Sequence, residues 1–346
     1  MNPAGSPQRT AVLLVALGTP ASPAASDVRR YLGEFLSDPR VVKLPRALWW
    51  LILHGIVLRT RPSVSAQKYA KIWMSEGSPL AVHTQRQAKL LRGYLGERSR
   101  KSNGHGSAPA PAVDYAMRYG EPSVARTLAR LAGEGVSRVL AVPLYPQYAE
   151  STTASVEDAL AQYRARAQKP VEIRMVRHFP DHPGYIRALA ALLRDHQERN
   201  GPIERLLMSF HGLPQRAVDL GDPYRDESVL TARLLAQEAG LREGQWQLTF
   251  QSRFGRARWL QPYTAATLEA WGREGLPRVD VMCPGFVSDC LETLEEIGME
   301  GRSTFLAAGG GQFHLIPCLN ERHEWIEALA DLTEAEFKDW NDSSKR

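Results

Sequence analysis

Cysteine is scarce in this chain of 346 residues: Cys283, Cys290 and Cys318 are widely spaced and form no Cys-x-x-Cys pair. The sequence therefore predicts neither a disulfide framework nor a structural zinc site, which is typical of a reducing compartment. The most apolar stretch, 47–58, has twelve residues, whereas a bilayer-spanning helix needs about 20. The N-terminus has no signal-peptide pattern, so we expect a cytoplasmic protein.

Composition and charge narrow the class further. A hydrophobic fraction of 43% and a charged fraction of 23% are typical of a globular protein, and the length favours two domains. The net charge of +5 is concentrated in residues 1–80, which hold ten Lys and Arg against four Asp and Glu. This basic region could meet anionic lipid or a substrate that carries carboxylates. No nucleic-acid-reading motif is present, so we expect no nucleic-acid partner.

Apolar runs of strand length alternate with helical patterns along most of the chain. The eight predicted strands are 11–17, 113–119, 138–143, 171–176, 205–211, 245–251, 278–283 and 313–317. The alternation predicts an α/β fold of two doubly wound, Rossmann-like halves, each a four-stranded parallel sheet flanked by helices. We predict an N-terminal half over 9–170, a C-terminal half over 171–324 and a last helix within 325–346 that packs back on the N-terminal half.

Two distant stretches carry residues suited to metal and proton chemistry. SFHGLP (209–214) places His211 at the end of a predicted strand, and 283–300 runs from a Pro-Gly turn into a helix. In that helix Glu292, Glu296 and Glu300 are four apart, which stacks three carboxylates on one α-helical face. We expect His211 and Glu292 to face each other across a cleft, with the acidic stripe as a path for a cation. Each stretch alone is more often a structural histidine or a solvated face.

The apolar stretch 47–58 is followed by Arg59-Thr-Arg-Pro and has two interpretations. One is a buried helix. The other is an apolar lip, extending over 47–80, that covers a greasy ligand or touches a membrane through 47–61. The aromatic residues Tyr69 and Trp73 downstream favour the second interpretation.

Eight motifs occur in order along the chain: LLVALGTP (13–20), KIWMSEGSPL (71–80), MRYGEPS (117–123), PLYPQYAESTTAS (143–155), SFHGLP (209–214), GDPY (221–224), FQSRFGRARWLQPYT (250–264) and CPGFVSDCLETLEEI (283–297). Over almost its whole length the chain resembles the ferrochelatases, and it looks most like the form found in Gram-negative bacteria. The resemblance implies a chelatase-like fold and insertion of Fe²⁺ into protoporphyrin IX, the last step of haem biosynthesis.

The resemblance also implies roles for individual residues. His211 and Glu292 match the family's active-site pair and would serve catalysis and metal binding. The metal would approach along Glu296, Glu300 and Asp289. The predicted porphyrin-binding residues are Leu17, Arg118, Tyr145, Ser151 and Phe286.

The chemistry leaves the division of labour open, because imidazole and carboxylate can both move protons and both ligate Fe²⁺. We hypothesise that His211 abstracts the pyrrole protons while Glu292, Glu296 and Glu300 escort the cation. The apolar lip favours protoporphyrin over the more carboxylated coproporphyrin. We expect a monomer that contacts the inner membrane peripherally.

The chain departs from animal ferrochelatases at two informative positions. Cys290 replaces a histidine two residues before the glutamate, and Glu150 stands where those members have a cluster-binding cysteine. We therefore expect no iron–sulfur cluster or other prosthetic group, with Fe²⁺ as a substrate. Three other functions compete: a Co²⁺ chelatase for another tetrapyrrole, a non-catalytic porphyrin carrier, and a metal-dependent hydrolase.

Overall fold

The computed structural model describes residues 9–102, 109–169, 171–255 and 257–343. Two four-stranded sheets, with orders β2-β1-β3-β4 and β6-β5-β7-β8, form the centre of the fold, and every ladder is parallel. The strands are β1 Arg9–Gly18, β2 Ala112–Tyr119, β3 Val136–Pro143, β4 Glu172–Met175, β5 Leu206–His211, β6 Trp246–Gln251, β7 Arg278–Met282 and β8 Gln312–Leu315. The predicted α/β fold of two doubly wound halves is confirmed.

Helices cover both faces of each sheet. They are α1 Ala25–Leu36, α2 Arg46–Ile52, α3 Leu58–Ile72, α4 Pro79–Ser102, α5 Val124–Gly133, α6 Ser155–Arg166, α7 Pro183–Asn200, α8 Gln215–Asp219, α9 Tyr224–Glu238, α10 Thr264–Arg273, α11 Arg302–Ala307 and α12 His323–Ser343. Three further segments have the wider π-helical winding: Leu53–Val57, Glu150–Ala154 and Glu292–Gly301. The first of them joins α2 directly to α3, so 46–72 form one long helical element that covers most of the predicted lip.

The alternation of side chains along β1 explains why the first sheet is buried on both faces. Val12 and Leu14 enter a large core that the two halves share, whereas Leu13 and Val15 pack on the other face, under α5 and α6. The same core receives Met208 of β5. Because the halves share one core, the two sheets are held in a fixed relation to each other.

The first sheet extends further along the chain than the sequence predicts. Strand β4 pairs with β3 in register Arg138↔Glu172, so residues just beyond 170 belong to the N-terminal sheet. Tertiary pairing of this short strand, which local sequence does not encode, moves the division of the chain past Met175. Helix α12 packs against α7 and α4, where Arg98 donates to Asp331 at 2.7 Å.

The strand orders define where ligands can bind. In each sheet the chain winds first one way and then the other, so the order reverses between β1 and β3 and between β5 and β7. Crevices form outside the carboxyl ends of the strands at such reversal points. Within the described ranges, no helix is both long and apolar enough to cross a membrane.

Candidate active site

His211 is the last residue of β5, at the reversal point of the second sheet. Its Nδ1 lies 2.7 Å from the carbonyl oxygen of Gly212, so Nδ1–H donates to that carbonyl in the neutral ring. The other ring nitrogen, Nε2, then carries the lone pair. A carbonyl partner of this kind fixes the tautomer and leaves Nε2 able to accept a proton or ligate a cation.

Gln251 ties the acidic segment to the strand that carries the histidine. It ends β6 and lies opposite His211 in the parallel ladder. Its side-chain Nε2 donates to the backbone oxygen of Glu292 at 2.9 Å and lies 3.5 Å from Oε2 of Glu296. Its Oε1 accepts from Ser209 at 2.7 Å, so the amide is held on both sides. This one buried side chain therefore brings the two predicted stretches together.

Glu296 is a partly buried acid whose charge interacts with that of His211. Its carboxylate accepts from the backbone N–H of Ser252 at 2.7 Å and from the Ser252 hydroxyl at 2.5 Å. Burial raises the pKa of Glu296 above the usual value, and the charge of Glu292 adds to the rise. The Ser252 hydrogen bonds and the nearby His211 oppose it. A carboxyl group poised in this way can take up a proton that His211 releases.

Glu292 lies towards the N-terminal half. Burial raises the pKa of the Tyr31 and Tyr69 hydroxyls, and the negative charge of Glu292 raises both further. Leu291 and Leu294 pack on the cluster that α1 and α3 build. His211 ends β5, and Glu292 follows the neighbouring strand β7 of the same sheet, so both come from strand ends as expected. That the two side chains face each other across a cleft stays a prediction.

The acidic helix has a different winding from the predicted α-helix. Glu292–Gly301 is π-helical, a winding in which residues four apart still lie within about 40° around the axis, so the acidic stripe stays a prediction. Glu300 pairs with Lys68 of α3 at 2.6 Å. Within the described part of the chain, the ligand atoms of His211, Glu292 and Glu296 do not all lie within 4.8 Å of one another. The arrangement suits proton transfer and passage of a cation.

Asp289 is buried, and its carboxylate is engaged by protein donors. Thr293 Oγ1 donates to it at 3.0 Å, Asn320 Nδ2 at 2.6 Å and the amide of Cys318 at 3.3 Å. These bonds tie the start of the π-helical segment to the chain after β8. The place of Asp289 on the metal route stays a prediction, since a cation would compete with these donors.

The predicted porphyrin residues lie on elements of both halves. The Phe286 ring lies 6.4 Å from the His211 ring, centroid to centroid. Leu17 is half-buried near the end of β1, and Ser151 is half-buried in a π-helical segment. Tyr145, just after β3, has a buried hydroxyl without a hydrogen-bond partner among the described residues. These placements suit a pocket, and the assignment to porphyrin stays a prediction.

Arg118 is committed to an internal network. Its guanidinium donates to Asp38 at 2.6 Å and to Ser155 at 2.7 Å, and Tyr119 donates to the same Asp38 oxygen at 2.8 Å. A propionate would therefore have to share or displace an existing carboxylate. The predicted role of Arg118 as a propionate partner stays a prediction.

A second group of metal-type ligands lies at the opposite end of the second sheet. The ligand atoms of His196, Asp280 and His314 all fall within 4.8 Å of one another. Arg278 donates to both Asp280 oxygens at 2.9 and 2.8 Å, and His196 Nε2 lies 2.6 Å from Asp280. Because the guanidinium already balances the carboxylate, we assign this group a structural role.

Fold and site together define the class: a two-sheet α/β protein of the chelatase fold, with a histidine and buried carboxylates at a strand-end crevice. CbiX, described as the terminal enzyme of sirohaem biosynthesis in denitrifying bacteria, matches with a TM-score of 0.52 and 16% identity over 94% of this chain and 98% of that one. SirB from Bacillus subtilis with Fe³⁺ matches with a TM-score of 0.51 and 13% identity over 94% of each chain. At these identities the likeness concerns the fold alone.

Sequence comparison identifies the family. The ferrochelatase family model matches residues 9–337. A ferrochelatase from Aromatoleum aromaticum is 60% identical over 336 residues, covering 97% of this chain and 90% of the relative. One from Dechloromonas aromatica is 56% identical over 340 residues, with the same coverage. The chain belongs to the ferrochelatase family, as its motifs predict.

Sequence reasoning missed several residues that organise the site. Gln251 and Ser252 lie inside a motif that it recognised, FQSRFG, but it assigned them no role. Glu295 is only 1% exposed and pairs with Lys68 and Lys71 of α3. Glu295 lies off the predicted stripe of carboxylates. The sequence gave no indication of its role, because its lysine partners are more than 200 positions away.

Proposed function

We propose that the chain inserts Fe²⁺ into protoporphyrin IX and releases two protons, as the names of its relatives indicate. The observation that supports this most is the placement of His211. Its Nε2 carries the lone pair at a strand-end crevice, and the raised-pKa carboxyl of Glu296 lies near it. A free-base porphyrin needs a proton acceptor and a dehydrated cation at one centre, and these groups supply both.

His211 would abstract the pyrrole protons. The Gly212 carbonyl holds Nδ1–H, so a proton arriving at Nε2 creates an imidazolium that the same carbonyl stabilises. Glu296 would then accept the proton, because burial raises its pKa towards that of imidazole. Release of that proton from Glu296 to solvent would return the pair to its starting state, ready for the second deprotonation.

Glu292 and Glu296 would pass the cation inward. Carboxylate oxygens can replace water in the shell of Fe²⁺, and the two residues start one π-helical segment near His211. Glu300 would be the outer member of the route, where it now binds Lys68. An arriving divalent cation would compete with that ammonium.

The porphyrin would lie between the halves. Phe286 would offer a flat wall beside His211, and Tyr145 has a buried hydroxyl without a hydrogen-bond partner among the described residues. An apolar lip suits the vinyl edge of protoporphyrin better than a fully carboxylated edge, which supports protoporphyrin over coproporphyrin. Competition between the two porphyrins during turnover checks that preference.

Anaerobic metallation of protoporphyrin IX by Fe²⁺ or Zn²⁺, followed by absorbance, tests the function directly. Wild type should turn over with both metals, since divalent affinity orders do not favour iron. His211→Ala should reduce turnover by about three orders of magnitude, the middle of the range for one general base. Absence of wild-type turnover would refute the function, and near-normal turnover of the variant would refute His211 as the base.

The lip also supports a proposal of peripheral membrane contact by a cytoplasmic monomer. Trp50, Leu51 and Ile56 are 59%, 62% and 60% exposed, and the basic Arg46 and Arg59 lie on the same helical element. Apolar side chains flanked by cations suit an anionic bilayer surface. Trp50→Asp should reduce flotation with anionic vesicles relative to wild type. Equal flotation of both proteins would count against the contact, and sedimentation of wild type measures the oligomeric state.

We propose that the reaction needs no prosthetic group. Glu150, which stands where animal members have a cluster cysteine, pairs with Lys43. The three cysteines are buried in the C-terminal half, and burial raises the pKa of each thiol. A protein purified anaerobically should show no iron–sulfur absorbance and full activity. Stoichiometric sulfide would contradict this.

A further inference from the structure

One lysine of the lip helix bridges two acids of the metal-route segment. Lys68 Nζ lies 2.9 Å from Oε2 of Glu295 and 2.6 Å from Oε1 of Glu300. Lys71, one turn further along α3, lies 3.1 Å from the other Glu295 oxygen. The N-terminal half therefore binds the segment Glu292–Gly301 of the C-terminal half through three charge-assisted hydrogen bonds.

Burial makes this contact specific. The Glu295 side chain is 1% exposed, while the Lys68 and Glu300 side chains are 31% and 53% exposed. A buried carboxylate is costly without compensating charge, so Glu295 requires an ammonium group in contact with it, and Lys68 also reaches Glu300. The pair therefore fixes the distance between α3 and the π-helical segment, which an exposed ion pair would leave adjustable.

The winding of the segment decides whether one ammonium can reach both acids. Glu295 and Glu300 are five residues apart, and at 3.6 residues per turn their side chains would point about 140° apart. A π-helix bonds residues five apart and has roughly 4.4 residues per turn, which brings the same two side chains to about 50° apart. Lys68 can therefore contact both acids when the segment is π-helical, and it cannot when the segment is α-helical.

The winding also sets the position of Glu296. The start of the segment is anchored by Gln251, which donates to the Glu292 carbonyl, and by Asp289, which accepts from Thr293. With that end fixed, rewinding from π to α would turn Glu296 by about 70° relative to Glu292. Such a rotation would take the Glu296 carboxylate away from the two Ser252 donors and from His211.

We propose that Lys68 is a positioning residue: by bridging Glu295 and Glu300 it selects the π winding of Glu292–Gly301 and so places Glu296 for proton transfer. A second link points the same way, since the Arg61 guanidinium of α3 lies 4.2 Å from the Phe254 ring centroid, in the loop that follows Ser252. The catalytic consequence rests on the proposed function. The effect on winding is a property of the fold alone.

Lys68→Met tests the inference because it removes the ammonium and keeps most of the chain length. Amide hydrogen exchange across 292–301 should speed up about tenfold or more as the segment loosens. A crystal structure of the variant should show lost Ser252–Glu296 contacts. In metallation with Zn²⁺, kcat should fall about tenfold with the porphyrin KM unchanged. Lys68→Arg keeps the charge and the reach and should restore most of both losses.

Lys71→Met is the matched control on the same helix. It removes a charge from the same Glu295 carboxylate but leaves the bridge to Glu300 intact. Exchange across 292–301 should therefore change far less than in Lys68→Met. Lys101→Met, which breaks the exposed Lys101–Glu97 pair of α4, should change neither exchange nor kcat.

Three outcomes would overturn the inference. If Lys68→Met exchanges amides across 292–301 at the wild-type rate, the contacts of Gln251 and Asp289 at the start of the segment are enough to hold the winding. Equal effects in Lys71→Met would show that total charge matters and the bridge does not. If Lys68→Met changes the metal KM and leaves amide exchange unchanged, Lys68 acts only as a charge at the entrance of the metal route. If wild type fails to metallate porphyrin, exchange and the crystal structure still decide the effect on winding.

Discussion

Ser252 holds the carboxylate of Glu296 with two donors at once, its backbone N–H at 2.7 Å and its hydroxyl at 2.5 Å. Ser252 has a φ of 63°, a left-handed conformation that non-glycine residues rarely adopt. Strain of this kind persists where surrounding contacts over-determine it, often at functional sites. The conformation lets one residue direct both donors to a single carboxylate, and it follows directly after Gln251, the last residue of β6.

Substitution of Ser252 separates the hydroxyl from the backbone geometry. Ser252→Gly relieves the left-handed strain and removes only the hydroxyl. A hydrogen bond to a charged group contributes about 1.5–3 kcal/mol. We therefore expect the metal KM to rise, or kcat to fall, by about tenfold or more. Ser252→Ala keeps the Cβ and therefore the strain. It should show the same kinetic loss as Ser252→Gly and be less stable than that variant by about 1 kcal/mol. Metallation kinetics with urea unfolding measure both effects. Unchanged kinetics in Ser252→Gly would show that the amide alone suffices.

The fold could be predicted from the sequence because each strand is short, apolar and flanked by turn residues, and the eight predicted strands all form. The strand end at His211 and the turn before Glu292 were predicted for the same reason. Sheet order was not predictable, since pairing of β5 with β7 depends on contacts distant in sequence. For that reason the sequence could not show that His211 and Glu292 come from neighbouring strands.

The π winding was beyond local sequence as well. Residues 291–297 have an apolar pattern that suits an ordinary helix, and the spacing of Glu292, Glu296 and Glu300 gives the same period. The contacts that go with the π winding are tertiary: Lys68 pairs with Glu295 and Glu300 from a helix more than 200 residues earlier. Such partners leave no trace in a window of a few turns.

Asp38 predicts a pH dependence of stability. Burial alone would raise the pKa of Asp38, but hydrogen bonds from Ser155 and Tyr119 and the charge of Arg118 bring it below the ordinary value of 3.8. A lowered folded pKa means that this carboxylate stabilises the fold above pH 3.8, and that the contribution is lost as pH falls through the folded pKa. Asn at this position does not titrate.

The matched measurement compares wild type with Asp38→Asn in urea at several pH values. Near pH 7 the variant should be less stable by about 3 kcal/mol, because Arg118 loses its buried partner. The difference should stay constant down to about pH 5 and shrink below pH 3.8. A difference that is independent of pH would show that the Asp38 charge contributes nothing.

Gly18 is required where β1 ends beside Leu17. It has a φ of 118°, and a Cβ there would lie 1.8 Å from the carbonyl oxygen of Tyr119. Gly18→Ala should therefore cost about 3 kcal/mol or more, since backbone must move in a conformation that L residues avoid. Gly96→Ala in the middle of α4 is the control: nothing lies within 4 Å of its added Cβ. It should stabilise by about 0.5–1 kcal/mol, and equal losses in both variants would refute the steric account.

Asp289 allows a direct choice between an anchor and a metal ligand. Thr293 and Asn320 donate to its carboxylate from two segments, and it is 5% exposed, so we expect the anchoring role to dominate. Asp289→Asn replaces one acceptor oxygen by a donor that faces existing donors, at a cost of about 1–3 kcal/mol. Urea stability should fall by that amount, and exchange at the start of Glu292–Gly301 should rise. If Asp289 instead handles the cation, the Zn²⁺ KM will rise while stability stays at the wild-type level. Because the anchor acts on the π-helical segment through Thr293 and a ligand acts on the ion itself, stability and metal KM move separately, and one pair of measurements decides between the two roles.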